Sequence, residues 1–114
     1  MTILYGIKNC DTVKKARNWL EQHGIDYQFH DFRTDGLSET QINHWIRELG
    51  LEQLVNKRST TWKALDDASK AAFSESTAPK IIAANPTLIK RPLLDTGSHK
   101  QLGFKEAEYQ QLFS

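Results

Sequence analysis

The chain has 114 residues, 39% of them hydrophobic and 25% charged, and this length and composition predict one ordinary globular domain. The formal net charge of +1 argues against strong attraction to nucleic acid or to an anionic membrane. Cys10 is the single cysteine, which excludes an intrachain disulfide and a secreted disulfide scaffold. The start, MTILYGIKN, lacks the apolar stretch of a signal peptide, and no window approaches ~18 consecutive apolar residues. We therefore expect a cytoplasmic, monomeric protein with no membrane partner.

The first third of the chain predicts a strand, a helix and a second strand. Residues 2–5 are apolar and partly β-branched, as in a short strand. Val13, Ala16 and Leu20 then fall on one helical face. Residues 27–32 are rich in aromatic side chains and predict the second strand. A strand, a helix of about three turns and another strand form a βαβ unit, whose two strands we expect to be parallel.

The middle of the chain predicts helices. Residues 38–49 begin with a capping box and continue with apolar residues at helical spacing. Shorter helices are predicted after residue 59 or 60 and over residues 77–85. The stretch 66–76 holds one large apolar residue, Phe73, and is predicted to be helix ends and loop.

The last third predicts two short strands and a helix. Residues 88–94, interrupted by Pro92, and residues 101–104 flank a turn at 96–98. Residues 105–113 predict the final helix. The residues that this helix is expected to bury include Ala107, Leu112 and Phe113.

The order of these elements is βαβ, a helical insert, then ββα. This order predicts an α/β fold with a four-stranded mixed sheet. We expect one domain over residues 1–114, with the mainly helical insert at about 36–86.

Cys10 is the leading candidate for chemistry. It follows the first strand and begins a helix, at the sheet edge where ligands of open α/β sheets bind. A helix N-terminus presents unpaired N–H groups and a partial positive charge, which favours the reactive thiolate. The alternative is a small core residue. The polar neighbours Lys8, Asn9, Asp11 and Thr12 favour the functional interpretation.

The residue three positions after Cys10 is Val13, where a dithiol redox protein has its second cysteine. Any redox cycle must therefore take its second thiol from outside the chain, and cytosolic glutathione is the natural donor. We expect monothiol chemistry if Cys10 is catalytic.

Two basic pairs, Lys90-Arg91 and Lys57-Arg58, are candidates to bind an anion near this thiol. Arg91 lies where the chain enters the third strand, and a guanidinium binds carboxylates or oxyanions with two parallel hydrogen bonds. Pro92 restricts Arg91 to extended geometry and is a candidate for a cis peptide bond. Lys57 and Arg58 form the other pair, for which a solvated surface position is the alternative.

Other signatures are missing from the sequence. The histidines show no metal-ligand spacing with the cysteine, so no metal is expected, and no particular histidine is indicated as a partner of Cys10. Neither a GxGxxG motif nor a P-loop is present, so no bound nucleotide or other cofactor is expected. The histidines are His23, His30, His44 and His99.

Three segments together resemble the arsenate reductase (ArsC) family, and within it the YffB branch beside the Spx regulators. These segments are Leu4–Thr12 with the following Lys14-Lys15-Ala16, then Thr60-Thr61-Trp62, then Ile89–Leu94. The resemblance covers essentially the whole chain. It implies a thioredoxin-like fold with a helical insert between the second and third strands.

The resemblance also implies roles for individual residues. In arsenate reductases of this type one cysteine attacks arsenate and three arginines hold the oxyanion. Cys10 matches the nucleophile, Arg91 matches one arginine, and Pro92 matches a cis-proline. The other two arginines do not match directly. Asn56 stands at the position of one of them, with Arg58 two residues further on as its substitute, and the segment Lys100-Gln101-Leu102 holds no arginine.

The function expected from residues and resemblance is a glutathione-dependent thiol–disulfide reductase with Cys10 as its single nucleophile. Asn9 is expected to stabilise the thiolate. Arg91, helped by Arg58 or Lys57, is expected to hold a carboxylate of glutathione, with Pro92 beside the sulfur. The partners would be glutathione, as co-substrate, and a small-molecule or protein disulfide.

Two alternatives stay open at this point. One is arsenate reduction. The other is a non-catalytic, Spx-like adaptor that binds a protein such as RNA polymerase; Spx regulators typically carry Cys-x-x-Cys, whereas Val13 stands at the second cysteine position here.

Overall fold

The computed structural model describes residues 1–114 and divides them into two units, Met1–Asp35 with Arg91–Ser114, and Gly36–Lys90. In chain order the elements are β1 (Ile3–Gly6), α1 (Asp11–Gln22), β2 (Gln28–Asp31), α2 (Glu39–Leu49), α3 (Leu51–Leu54), α4 (Thr60–Ala64), α5 (Asp67–Ala72), α6 (Ala78–Ala84), a 3₁₀ turn (Pro86–Leu88), β3 (Leu93–Asp95), β4 (Lys100–Leu102) and α7 (Glu106–Leu112).

The first unit contains a four-stranded sheet in the order β2-β1-β3-β4. Strand β1 pairs in parallel with β2, where Leu4 lies opposite Phe29. It pairs antiparallel with β3, where Leu4 lies opposite Leu94, and β3 pairs antiparallel with β4. The predicted α/β fold with a mixed four-stranded sheet is confirmed.

Helices α1 and α7 pack on one face of this sheet. Leu4 and Leu94 are cross-strand partners, so their side chains point to that same face. The amphipathic pattern of α1 turns its apolar stripe toward them, and Gly24 follows the helix with the positive φ of 65° that favours glycine. The buried residues of this cluster are Leu4, Val13, Ala16, Trp19, Leu20, Leu94 and Tyr109.

The second unit is helical. The Ser38 hydroxyl accepts a hydrogen bond from the Gln41 N–H at 3.1 Å and caps α2, as the capping pattern predicts. Helix α2 packs against α6, and Val55 forms an isolated antiparallel bridge with Ile89. The unit spans Gly36–Lys90, whereas the sequence predicts an insert at about 36–86; the interpretation of 1–114 as one domain stays a prediction.

Three local predictions are wrong, each for a physical reason. Helix α5 lies inside the stretch that was expected to be helix ends and loop, because the Asp66 carboxylate caps it by accepting from the Ser69 N–H at 2.6 Å. Strand β3 begins only at Leu93, after Pro92, which has no N–H to give to a ladder. In α7 the face that packs on the core cluster carries Tyr109, so Tyr109 is fully buried and Ala107 is exposed, whereas Leu112 and Phe113 are partly buried against that cluster.

No helix of the chain is both long enough and apolar enough to span a bilayer.

Candidate functional site

Cys10 stands at the N-terminus of α1. Strand β1 ends at Gly6, and after three further residues Cys10 adopts extended geometry, with φ −117° and ψ 122°, as the N-cap. Its carbonyl accepts the hydrogen bond of the Lys14 N–H at 3.0 Å, whereas its side chain makes no capping hydrogen bond. The sulfur is therefore not engaged by the helix that it begins.

The surroundings of Cys10 are polar on one side and apolar on the other. Lys8, Asn9 and Asp11 are exposed, whereas Ile7 is buried. Cys10 itself is half-buried and packs against the cluster beneath α1. This placement lies between the two sequence interpretations, since the thiol contacts the core and also reaches solvent.

The sheet register brings Arg91 and Pro92 to the same edge as Cys10. Tyr5 of β1 lies opposite Leu93 of β3 in an antiparallel pair. The residues that follow β1 and those that precede β3 therefore meet at one edge of the sheet. Arg91 is partly exposed there, Pro92 is buried, and the peptide bond between them is cis, as the resemblance implies. Asn9 belongs to the same edge.

Lys57 and Arg58 belong to the second unit. Both are exposed, and the Asn56 side-chain oxygen accepts a hydrogen bond from the Arg58 N–H at 3.0 Å. The Lys57 ammonium lies 5.2 Å from the centre of the Trp62 ring, within reach of a cation–π interaction. Their predicted role beside a thiol stays a prediction.

The histidines are engaged in local contacts. His23 stacks on Trp19, with 3.9 Å between ring centres, and its Nδ1 lies 2.8 Å from the Trp19 carbonyl oxygen. His44 contacts Glu48 one turn further along α2, and His30 packs against the Tyr5 ring. No group of three or more histidine, cysteine, aspartate or glutamate side chains is placed to hold a metal ion.

Sequence reasoning missed the contribution of the segment after β4. Because β4 runs antiparallel to β3, its last residues return to the edge where β3 begins. There the Gly103 N–H donates to the Pro92 carbonyl at 2.9 Å, and Phe104 packs against the same cluster as Cys10. The antiparallel pairing across the turn at 96–98 is the signal that would have placed these residues.

The ring of Tyr109 is fully buried in the cluster against which Cys10 and Phe104 pack. It meets Phe104 edge-on with 4.7 Å between ring centres, and Trp19 with 5.5 Å. Its hydroxyl is buried without a hydrogen-bond partner. Burial raises the pKa of Tyr109 above that of an ordinary phenol, and the nearby Glu108 carboxylate acts in the same direction.

A mixed sheet with α1 and α7 on one face, and one cysteine at the start of α1, defines a thioredoxin-like protein with a single cysteine. The chain belongs to the ArsC family, whose family model matches residues 5–112. A solved structure of the YffB protein is similar to this chain with a TM-score of 0.94 and 39% identity, covering all of both chains.

Two curated relatives extend the comparison. An uncharacterized protein of Haemophilus influenzae is 47% identical over 114 residues, covering both chains completely. The global transcriptional regulator Spx of Streptococcus pyogenes is 32% identical over 117 residues, covering all of this chain and 86% of the regulator. The resemblance to the ArsC family and its YffB and Spx branches is confirmed.

Proposed function

We propose that the protein is a glutathione-dependent thiol–disulfide reductase with Cys10 as its single nucleophile. The observation that carries this proposal is the position of the thiol: half-buried, free of any capping hydrogen bond, at the N-terminus of the twelve-residue helix α1. At that place the N–H groups of the first turn and the positive end of the helix dipole attract negative charge, including that of an attacking sulfur.

The reaction would run in two exchanges. The Cys10 thiolate attacks the glutathione sulfur of a glutathionylated substrate; a bond forms between the two sulfurs, and the substrate leaves as a thiolate that takes up a proton. A glutathione thiolate then attacks the mixed disulfide on Cys10, which forms glutathione disulfide and returns the Cys10 thiolate. The substrate sulfur is reduced to a thiol, and one free glutathione is oxidised as it forms a disulfide with the glutathione that the substrate carried.

The residues at the same sheet edge would assist these exchanges. Arg91 would hold a glutathione carboxylate through its guanidinium, and Asn9 would donate a hydrogen bond to the thiolate. Pro92 would form the wall of the groove beside the sulfur. This assignment rests on the register that brings Arg91 and Pro92 to the edge where Cys10 begins α1.

The test is the intact mass of reduced protein after incubation with glutathione disulfide between about pH 6 and 8. One glutathione adduct should form rapidly, disappear when glutathione is added, and be missing from Cys10→Ser. Turnover of a glutathionylated peptide should likewise require Cys10. Slow labelling that matches an ordinary thiol, or turnover that survives in Cys10→Ser, would refute the mechanism.

Arsenate reduction is the weaker activity for this site. The position where the resemblance would place a third arginine holds Lys100-Gln101-Leu102, and the Gln101 amide there donates to the Glu108 carboxylate. A carboxylate at that position disfavours a trivalent oxyanion. We expect no arsenate turnover with glutathione and glutaredoxin present.

A second candidate, an adaptor that binds a protein partner, is favoured by the likeness to Spx over the entire chain. Spx is a transcriptional regulator by name, so RNA polymerase is the partner to test. Retention of this protein on purified RNA polymerase, equal for the wild type and Cys10→Ser, would support the adaptor. Absence of binding leaves the reductase as the function to pursue.

A further inference from the structure

Lys14 differs from the other cations near Cys10 in its position on helix α1. Its backbone N–H is bonded to the Cys10 carbonyl at 3.0 Å, which places it one helical turn above the thiol. Helical side chains lean toward the helix N-terminus, so the surface that Lys14 covers lies over the turn that holds Cys10. Lys14 is exposed and forms no ion pair. Its ammonium is therefore free to meet a ligand at the sulfur.

Arg17, one turn further along α1, serves a different purpose. Its Nε donates to the Tyr27 hydroxyl at 3.1 Å, and its guanidinium carbon lies 4.3 Å from the centre of the Phe29 ring. The guanidinium is thus fixed against the β2 side of the helix. Because like charges three residues apart on a helix repel each other, this fixed cation favours Lys14 conformations that reach back toward Cys10.

Lys15 is the natural comparison for Lys14. It is also exposed, but it lies about 100° further round the helix. Asp11 lies three residues before Lys14 and four before Lys15 and forms an ion pair with neither, so its carboxylate acts on both lysines alike. The two lysines carry the same charge one residue apart, and Lys14, whose N–H bonds the Cys10 carbonyl, is the one that lies a full helical turn after Cys10.

The positive charge of Lys14 does not stabilise helix α1. Lys14 is the fourth residue of α1, close to the positive end of the helix dipole, where acidic residues stabilise a helix and cations oppose it. A cation at this place, without an ion-pair partner, leaves its charge available to a ligand at the start of the helix.

We propose that Lys14 is a specificity-determining residue that gives Cys10 a preference for anionic disulfides. This inference rests on the proposed thiol–disulfide exchange and adds the charge of the substrate and the residue that selects it. The selected class includes glutathione disulfide and disulfides on acidic peptides. Cationic disulfides of similar size are disfavoured by the same charge.

The experiment compares three disulfides that differ in charge: anionic glutathione disulfide, neutral hydroxyethyl disulfide and cationic cystamine. Each should form a mixed disulfide with Cys10 and release its own thiol. The rate of adduct formation is measured by intact mass at low and high ionic strength. The neutral disulfide serves as the reference, because it reports changes in the thiol that do not depend on substrate charge.

Four proteins are compared: the wild type, Lys14→Gln, Lys14→Arg and Lys15→Gln. A unit charge ~6 Å from another in water changes the rate of encounter about threefold. In Lys14→Gln we expect the rate with glutathione disulfide to fall about threefold or more relative to the neutral disulfide, and the rate with cystamine to rise. Lys14→Arg keeps the preference, Lys15→Gln changes it little, and high salt removes the differences.

A preference in Lys14→Gln equal to that of the wild type would overturn the inference. A loss of charge preference in Lys15→Gln as large as that in Lys14→Gln would also overturn it. The preference would then come from the general positive charge at the start of α1 and not from Lys14. If Cys10 reacts with the neutral disulfide and shows no charge preference, the inference fails and the proposed function stands. If none of the three disulfides reacts at Cys10, the proposed function itself fails.

Thermal stability supplies a second readout. If Lys14 served only the helix, Lys14→Gln would lower the melting temperature. We expect the melting temperature of Lys14→Gln to equal or exceed that of the wild type, while the charge preference is lost.

Discussion

Gly6 and Val13 lie so close together that a Cβ atom added at Gly6 would stand 2.7 Å from Cγ2 of Val13. Gly6 is the last residue of β1 and Val13 faces it from the first turn of α1, fully buried. Because Gly6 has no side chain, α1 can start close to the end of β1. This contact therefore sets the distance between β1 and Cys10, which begins α1.

Gly6→Ala should destabilise the protein by about 1–3 kcal/mol, because the new methyl group overpacks a rigid contact. The free energy of unfolding in urea measures the loss. Adduct formation at Cys10 should slow as well, since α1 must move away from β1.

A double-mutant cycle tests the cause of this loss. Val13→Ala removes the methyl groups that would clash, so Gly6→Ala/Val13→Ala should be less destabilised than the sum of the two single changes. Strict additivity would show that the Gly6 effect arises elsewhere.

Cys10→Ser should abolish adduct formation and leave the fold intact. Serine is a favoured N-cap residue, and the Cys10 side chain makes no capping bond that would be lost. Cys10→Ser should exceed Cys10→Ala in stability by about 1 kcal/mol, measured by urea unfolding. Equal stability of the two variants would mean that the geometry of residue 10 does not support a side-chain cap.

Tyr109→Phe should be as stable as the wild type at neutral pH, or more stable by about 1 kcal/mol, because it removes a buried hydroxyl without a partner. Burial raises the pKa of Tyr109 in the folded state above its ordinary value of 10.0. The folded protein therefore holds this proton more tightly than the unfolded chain. The resulting stabilisation is fully present below pH 10 and is lost as the pH rises above that value.

The difference between the wild type and Tyr109→Phe isolates this effect from the titration of other groups. Unfolding free energies measured across about pH 8 to 11 should fall more steeply for the wild type above pH ~10. Parallel curves would mean that the Tyr109 phenol reaches solvent in the folded protein.

Tyr27→Phe should have the opposite sign at neutral pH. Its hydroxyl accepts a hydrogen bond from Arg17 at 3.1 Å in a partly buried position, so its removal should cost about 0.5–1 kcal/mol. Urea unfolding of the two tyrosine variants side by side measures both. A stabilised Tyr27→Phe would contradict the hydrogen bond.

The parts of the fold that a sequence pattern predicts are those with a long apolar repeat. Helix α1 shows its buried stripe at Val13, Ala16 and Leu20, and the mixed sheet follows from the order of elements. Helix α5 has no such stripe and depends on the Asp66 cap, so periodicity missed it. In α7 the choice between Ala107 and Tyr109 depends on which face meets the sheet, which a seven-residue helix does not reveal by itself.

The candidate site divides in the same way. The polar segment around Cys10 indicates a thiol at the start of a helix, and the structure places it there. The bond between Gly103 and Pro92 and the packing of Phe104 depend on the β3–β4 register, which the sequence indicates only when the two strands that flank the turn at 96–98 are paired with each other. Cys10 is partly exposed and also contacts the core, and only the packed structure shows this combination. The sequence suggested either a functional thiol or a small core residue.

The first unit is discontinuous in sequence, since Met1–Asp35 is completed by Arg91–Ser114. While the chain is being synthesised, β1 and α1 leave the ribosome before β3, which must lie between β1 and β4, has been translated. The cluster against which Cys10 packs includes Leu94 and Tyr109, so it cannot be complete until residue 109 has been translated. A nascent chain that has not reached residue 109 therefore lacks part of the packing around Cys10, and protection of this thiol from alkylation should increase when α7 joins the cluster.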